Sequence, residues 1–354
     1  MYVLLAYNQF NELIEASEVE KNCHNQYFCP GCNEKVFVKQ GMKVVPHFSH
    51  YKHSDCQTFS EGESEEHIQG KLFLYNFLKP YVDSIEIEPY IRTLKQRPDL
   101  LLTYNNQKVA IEFQCSPISV KQIVKRSQGY QKSGILVLWI IGSPLQLDKR
   151  LSQLHRAMMN DIVFTTPNLL YLDTKKERLV IHYHFQKSDQ TKWKTSQLIQ
   201  FVLNKNLPVQ IPKSTNSIQY YSQKMIKQLH RMHYYKTKNI RNFFQVVYQE
   251  GDHLLSLPQV IFIPCYSEWS IMTASYEWKY YLYKWIERMK SGTVITTNLI
   301  KQWFLEQIET NKIKIYAMPN INRSFQLNCI IYFIEILSSE NILISKRSNK
   351  WYRY

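Results

Sequence analysis

The sequence is short of glycine, with 9 in 354 residues, and its 7 cysteines follow no regular spacing. An odd cysteine count without a repeating framework argues against a disulfide scaffold. It suits metal ligands or buried thiols in a reducing compartment. No stretch approaches the ~18 apolar residues of a membrane-spanning helix, and no charged, apolar, small-residue leader opens the chain. The expectation is a cytoplasmic protein with no membrane span. There is no glycine-rich phosphate loop, no Gly-x-Ser-x-Gly turn and no internal repeat, which argues against P-loop nucleotidases, serine hydrolases and solenoids. From Gln190 to Gln249 there is neither Asp nor Glu.

What is present is positive charge and aromatic surface. Lys and Arg exceed Asp and Glu by 44 to 29, for a net charge of +15, and there are 25 Tyr and 17 Phe. A polyanionic partner is implied. The 44% hydrophobic content supports a sizeable folded core. Inside the acid-free stretch, Ser222 to Arg241 interleaves bases with aromatic residues. There Lys224, Lys227 and Arg231 suit a nucleic-acid backbone, with Tyr and His beside them to stack.

The strongest local pattern is Arg97-Pro98-Asp99 followed by Leu-Leu-Leu-Thr-Tyr104, a polar break, and Val109-Ala-Ile-Glu112-Phe-Gln114. It reads as a hairpin of two strands turning at Asn105-Asn106-Gln107. Strand alternation sends Glu112 and Gln114 to one face and Ile111 and Phe113 to the other. Asp99 lies at the mouth of the neighbouring strand. Paired carboxylates make a hard oxygen site for Mg²⁺ or Mn²⁺, and on a basic protein that suggests metal-assisted phosphodiester hydrolysis. A lysine commonly stands two residues after such a Glu, where it orients water and offsets charge. Here that place holds Gln114, which can hydrogen-bond water but carries no charge. Lys71 on the preceding helix is a candidate to compensate, and Glu63 a candidate to reach the metal or its water.

That helix begins at Ser64, with Leu72, Tyr75 and Leu78 as its apolar stripe. Glu63, His67 and Lys71 share one face at i, i+4, i+8. Strands follow at 84–91, 99–104 and 109–114. Next come a helix at 119–132, with Lys121, Lys125 and Arg126 outward, and a buried strand at 135–141. The order is helix, three strands, helix, strand. Residues 169–172 and 179–183 form a candidate hairpin. Residues 294–308 read as one of several helices in the C-terminal part.

Upstream, Cys29-Pro-Gly-Cys32 is followed by His47-Phe-Ser-His50 and Cys56. A Cys-x-x-Cys knuckle on a hairpin with further Cys and His returning to it suits a closed, structural Zn²⁺ site using four of these five residues. Spacing leaves His50 and Cys56 competing for the fourth position.

As a set, Cys29-Pro-Gly-Cys32, His47-Phe-Ser-His50, Glu63-Ser64…His67…Lys71, Arg97-Pro98-Asp99, Ile111-Glu112-Phe-Gln114-Cys-Ser116, Arg126…Tyr130 and Leu138-Trp139-Ile140 resemble the competence protein CoiA family of low-GC Gram-positive bacteria. The resemblance covers roughly residues 25–145. It implies a zinc-finger-like module at 1–60, a PD-(D/E)XK nuclease-like core of restriction-endonuclease-like α/β type (αβββαβ) at 61–150, and a basic, mostly helical region at 151–354. It implies a part in natural transformation, processing or recombining internalised single-stranded DNA, with recombination and uptake proteins as candidate partners. Asp99 and Glu112 then match the motif carboxylates. Arg126 and Tyr130 lie where related nucleases contact DNA, and His67 joins them as a candidate contact. Two readings follow: a metal-dependent nuclease, or a nuclease-fold DNA-binding mediator without turnover.

Overall fold

In the computed structural model, the helix expected after Ser64 runs Glu65–Leu78 (α1). The Ser64 hydroxyl accepts from the His67 backbone N–H, and Glu65 and Glu66 sit in the first turn, where the helix end favours anions. The residues described are 5–20, 25–29, 32–41, 44–51, 64–147, 150–162, 166–186, 194–200, 227, 229–231, 234, 238–322, 324–346 and 350–353. Glu63, Cys56 and Lys224 lie outside them.

The buried face of α1 is Ile68, Gly70, Lys71 and Leu74, while the expected stripe of Leu72, Tyr75 and Leu78 is only half-buried. Gly70 explains the rotated phase. A Cβ there would lie 2.0 Å from the Phe113 ring, so the absence of a side chain lets the helix press its glycine and lysine face onto the sheet.

Among the described residues, that sheet has seven strands in the order β12-β11-β10-β9-β8-β7-β6. β6 (Ser84–Ile87), β7 (Leu100–Tyr104) and β8 (Gln107–Gln114) form an antiparallel meander. The turn takes two residues, Asn105 and Asn106, both at positive φ, and Gln107 already pairs with Tyr104. Asparagine tolerates that left-handed backbone. Helix α2 (Val120–Lys132) starts with a capping box between Ser119 and Gln122 and leads to β9 (Leu136–Ile141), parallel to β8. The expected order of helix, three strands, helix, strand is therefore the observed one.

The sheet then continues. A short helix, α3 (Gln153–Met158), precedes β10 (Leu169–Asp173), which is parallel to β9. β11 (Arg178–Gln186) closes the expected hairpin with β10, and β12 (Lys194–Gln200) adds a further antiparallel edge. Both faces are covered. Ile111, Phe113, Leu100 and Leu170 pack beneath α1, and Ala110, Trp139, Tyr171 and Val137 pack with Ile123 and Tyr130 of α2.

The N-terminal part is, among the described residues, an antiparallel five-stranded sheet, β2-β1-β3-β4-β5, with β1 at Leu5–Asn8 and β2 at Leu13–Glu15. Here β3 is Tyr27–Phe28, β4 Lys35–Gly41 and β5 Val44–His50. The C-terminal part packs helices Lys238–Gln249, Ser275–Glu287, Thr297–Glu309 and Ser324–Ser339 with a small sheet. Residues 294–308 are not one helix. Val294–Thr296 pairs as a strand with Lys350–Arg353, and Thr296 caps the helix that follows. The β-branched pair Val294 and Ile295 favours the strand. No helix among the described residues is long and apolar enough to cross a membrane.

Candidate functional site

The register of the β7/β8 pair brings the two motif carboxylates to one place. Leu100 faces Ile111, so Asp99, one residue earlier, comes beside Glu112. The backbone N–H of Phe113 donates to Asp99 Oδ2 at 2.7 Å. From α1, His67 Nε2 lies 3.3 Å from Asp99, and its ring stacks on Phe113. Burial pushes the Asp99 carboxyl upward, but His67, Lys71 and the Phe113 N–H together outweigh it and hold the group well below the usual carboxylate range.

Glu112 points to the opposite face, toward α2, and is 3% exposed. Arg126 Nη2 donates to both of its oxygens, at 2.5 and 2.6 Å, and Nε donates to Oε1 at 3.2 Å. The Tyr130 hydroxyl donates to Oε1 at 2.6 Å. Burial pushes the Glu112 carboxyl up to about 7; Arg126 and Tyr130 pull it down, and the nearby Asp99 charge adds to the rise. Arg126 is therefore not a solvated outward base, as helical phase alone suggests. Its guanidinium folds onto Glu112 and also donates to the Arg97 carbonyl.

The Gln114 amide donates to the Ser116 carbonyl at 2.8 Å and to its hydroxyl at 3.1 Å, which turns it along the chain. Lys71 is fully buried and pairs with Glu88. Glu88 also accepts from Arg97, at 2.6 Å on its carboxylate and 2.7 Å on its carbonyl. Lys71 contributes positive field at Asp99, yet its burial keeps the ammonium from a substrate water.

Sequence reasoning missed three participants. Glu66 of α1 is in contact here: its Oε1 accepts from the Ser143 backbone N–H at 2.7 Å, beside Gly142 and Cys115. Glu88 follows β6 at positive φ, a local reversal that strand alternation does not signal. Arg97 stands within the quoted motif but carries no mark of its buried pairing. Burial pushes the Cys115 thiol up to about 12, which holds it protonated.

In the N-terminal sheet, the ligand atoms of Cys29, Cys32 and His50 lie within 4.8 Å of one another, with Cys32 Sγ 3.3 Å from His50 Nε2. Asn33, at positive φ, donates its N–H to the Cys29 carbonyl and closes the knuckle. His47 is buried but outside this group. His50 lies three positions further along β5, and strand alternation sends the two side chains to opposite faces. Of the two alternatives for the fourth ligand, His50 lies in the group with Cys29 and Cys32, and Cys56 is outside the described residues. In the basic segment, Lys227, Arg231 and Tyr234 are exposed, while Leu229 between them is buried in the C-terminal core.

Comparison with known proteins covers nearly the whole chain. Residues 12–59 match the model of the competence protein CoiA N-terminal domain, 63–215 its nuclease-like domain and 216–354 its C-terminal domain. The chain belongs to the competence protein CoiA family. It is similar to competence protein CoiA of Bacillus subtilis (strain 168), 38% identical over 130 residues. That alignment spans 37% of this chain and 35% of the relative. Within the family frame, Asp99, Glu112, Arg126 and the whole seven-stranded sheet fall in the nuclease-like region, and the Cys29, Cys32 and His50 group falls in the N-terminal region.

Proposed function

We propose that this protein engages single-stranded DNA during natural competence through its nuclease-like domain, as a binding and processing factor that does not cut in the state described. The observation that carries this reading is the Arg126 guanidinium on Glu112. Asp99 and Glu112 have the donor chemistry for Mg²⁺ or Mn²⁺. However, both Glu112 oxygens already accept from a cation, and Asp99 is engaged by His67 and the Phe113 N–H. The residues present therefore fit a metal in type but not in availability, and a fixed internal charge stands where the metal charge is expected. The core from Glu65 to Ile141 is then a PD-(D/E)XK-like fold in which Arg126, about a third exposed at its side chain, offers its outer edge to phosphate. Tyr130, fully buried, acts by holding Glu112 rather than by touching DNA. Lys227 and Arg231 supply a second, C-terminal contact.

The retention of both Asp99 and Glu112 favours a second reading, metal-dependent cleavage. It requires Arg126 to leave Glu112 when DNA or metal arrives. In either reading Cys29, Cys32 and His50 hold a structural Zn²⁺ with one further ligand, and the protein works in the cytoplasm.

The test incubates labelled single- and double-stranded DNA with Mg²⁺ or Mn²⁺ and wild type, Glu112→Ala or Arg126→Ala. Binding without cleavage by wild type supports the mediator. Metal-dependent cleavage by wild type that disappears in Glu112→Ala establishes the nuclease instead. No binding to either DNA defeats both.

A further inference from the structure

Between β6 and β7 the chain makes a compact turn, 89–96, that lies against α2. We infer that this turn, together with the N-terminal half of α2, is a seat for single-stranded nucleic acid, with Tyr90 stacking on a base and Arg92, Lys95, Lys121 and Lys125 on phosphates. The inference rests on the DNA reading above and places the strand on residues other than the Lys227–Arg231 segment.

The turn is rigidly mounted. Ile91 and Gln96 form a bridge in which the Ile91 N–H donates to the Gln96 carbonyl at 2.9 Å, and the Leu94 N–H donates back to the Ile91 carbonyl at 3.1 Å. Ile91 and Leu94 pack into the same core cluster as Ile123 and Tyr130 of α2. The ends are tied by Arg97 Nε to the Glu88 carbonyl and by Arg126 Nη2 to the Arg97 carbonyl. Gly129 sets the contact with α2: a Cβ there would meet the Gln96 amide nitrogen at 2.3 Å.

Ile91 turns inward, and its neighbours Tyr90 and Arg92 are exposed. Tyr90 is 45% exposed, and Arg92 and Lys95 are exposed with no ion-pair partner among the described residues. Lys121, Lys125 and Gly129 recur at i, i+4 and i+8, one stripe along α2 that ends where the turn sits. Both lysines are exposed. The acids of this corner do not cancel the field: Glu88, Asp99 and Glu112 are engaged by internal partners, and exposed Glu86 on β6 is outnumbered by the four bases. The result is a rigid basic strip with one open aromatic face, the combination that binds single strands through phosphate charge and base stacking. Double-stranded DNA offers the phosphates but not an unstacked base, so the single strand is the better occupant.

The experiment uses the full chain and a labelled thymidine homopolymer, titrated across a range of salt concentrations. Arg92→Ala with Lys95→Ala should lower the salt slope by about 1.4, the share of two phosphates on a single strand. Tyr90→Ala should weaken binding on the order of tenfold, with little change in slope. Ultraviolet cross-linking of the wild-type complex should place Tyr90 among the linked residues. All of these side chains are exposed, and unchanged melting of the variants excludes misfolding. Wild-type binding with an unaltered slope in the double variant, and cross-links confined to the Lys227–Arg231 segment, would overturn the seat while leaving the DNA reading intact. A wild-type protein that binds no homopolymer overturns the DNA reading itself, and this inference with it.

Discussion

Arg126 reaches from α2 to bridge both oxygens of Glu112 on β8, and Tyr130, one helical turn further along, adds a third donor to the same carboxylate. The motif acid is thus satisfied without a metal. The guanidinium is planar, permanently charged and matched in shape to a carboxylate. It neutralises the acid that burial drives toward protonation.

Removing that guanidinium should expose the oxygen site. Arg126→Ala is expected to bind Mn²⁺ detectably by calorimetry where wild type shows weak or no heat, and adding Glu112→Gln to the variant should abolish the gain. The same variant should lose about 2–3 kcal/mol of stability. That is below the ~3–5 kcal/mol typical of breaking a buried pair, because Arg126 is partly solvated. A variant that binds no more Mn²⁺ than wild type would show that Arg126 does not occupy the metal's place.

Lys71, by contrast, is wholly interior, and its ammonium meets Glu88 beneath Asp99. Lys71→Ala should cost about 3–5 kcal/mol in denaturant unfolding, because among the described residues Glu88 then keeps Arg97 alone as a counter-charge. The double variant Lys71→Met with Glu88→Gln should recover at least about 1 kcal/mol over the sum of the single changes. Strict additivity would mean that the two residues do not act as a pair.

The core was legible in the sequence where local rules and tertiary packing agree. The Asn105-Asn106 turn, the Ser64 and Ser119 caps and the alternation of β8 each announce themselves within a few residues, and together they bring Asp99 beside Glu112. What stayed hidden depends on residues distant in sequence. The rotation of α1 follows from Phe113 pressing on Gly70, the folding-back of Arg126 from Glu112 fourteen positions earlier, and the capture of Glu88 from a backbone reversal. The sheet past residue 150 was only half visible, because the Leu169–Leu172 and Leu179–Tyr183 hairpin shows no sign of which sheet it joins.

His182, in the middle of β11, gives a pH signature separate from the carboxylates. It is 2% exposed, and neither ring nitrogen has a hydrogen-bond partner among the described residues. Burial, with a smaller contribution from His155, lowers its pKa to about 4. The unfolded chain then takes up a proton near pH 6.5 that the folded chain refuses until about pH 4, so stability falls as pH drops through that window. His182→Leu should match or exceed wild type at pH 8 and should gain a further ~2 kcal/mol relative to it by pH 5. Parallel stability curves for the two proteins between pH 8 and pH 5 would refute the assignment.

The N-terminal knuckle separates its two histidines by strand geometry, and metal content can read that separation directly. Cys29→Ser and His50→Ala should each reduce the zinc carried by the purified protein, measured by plasma mass spectrometry, and lower the thermal midpoint. His47→Ala should keep the zinc, since its side chain leaves β5 on the other face, although it will lose packing. Zinc retained by His50→Ala but lost from His47→Ala would reverse the ligand assignment and require β5 to pair with β4 one residue out of the present register, in which Val36 faces His50. Such a slip would turn Phe48 out of the small core it now shares with Tyr27 and Val36, exchanging a buried aromatic ring for a buried imidazole, and the hydrophobic effect opposes it.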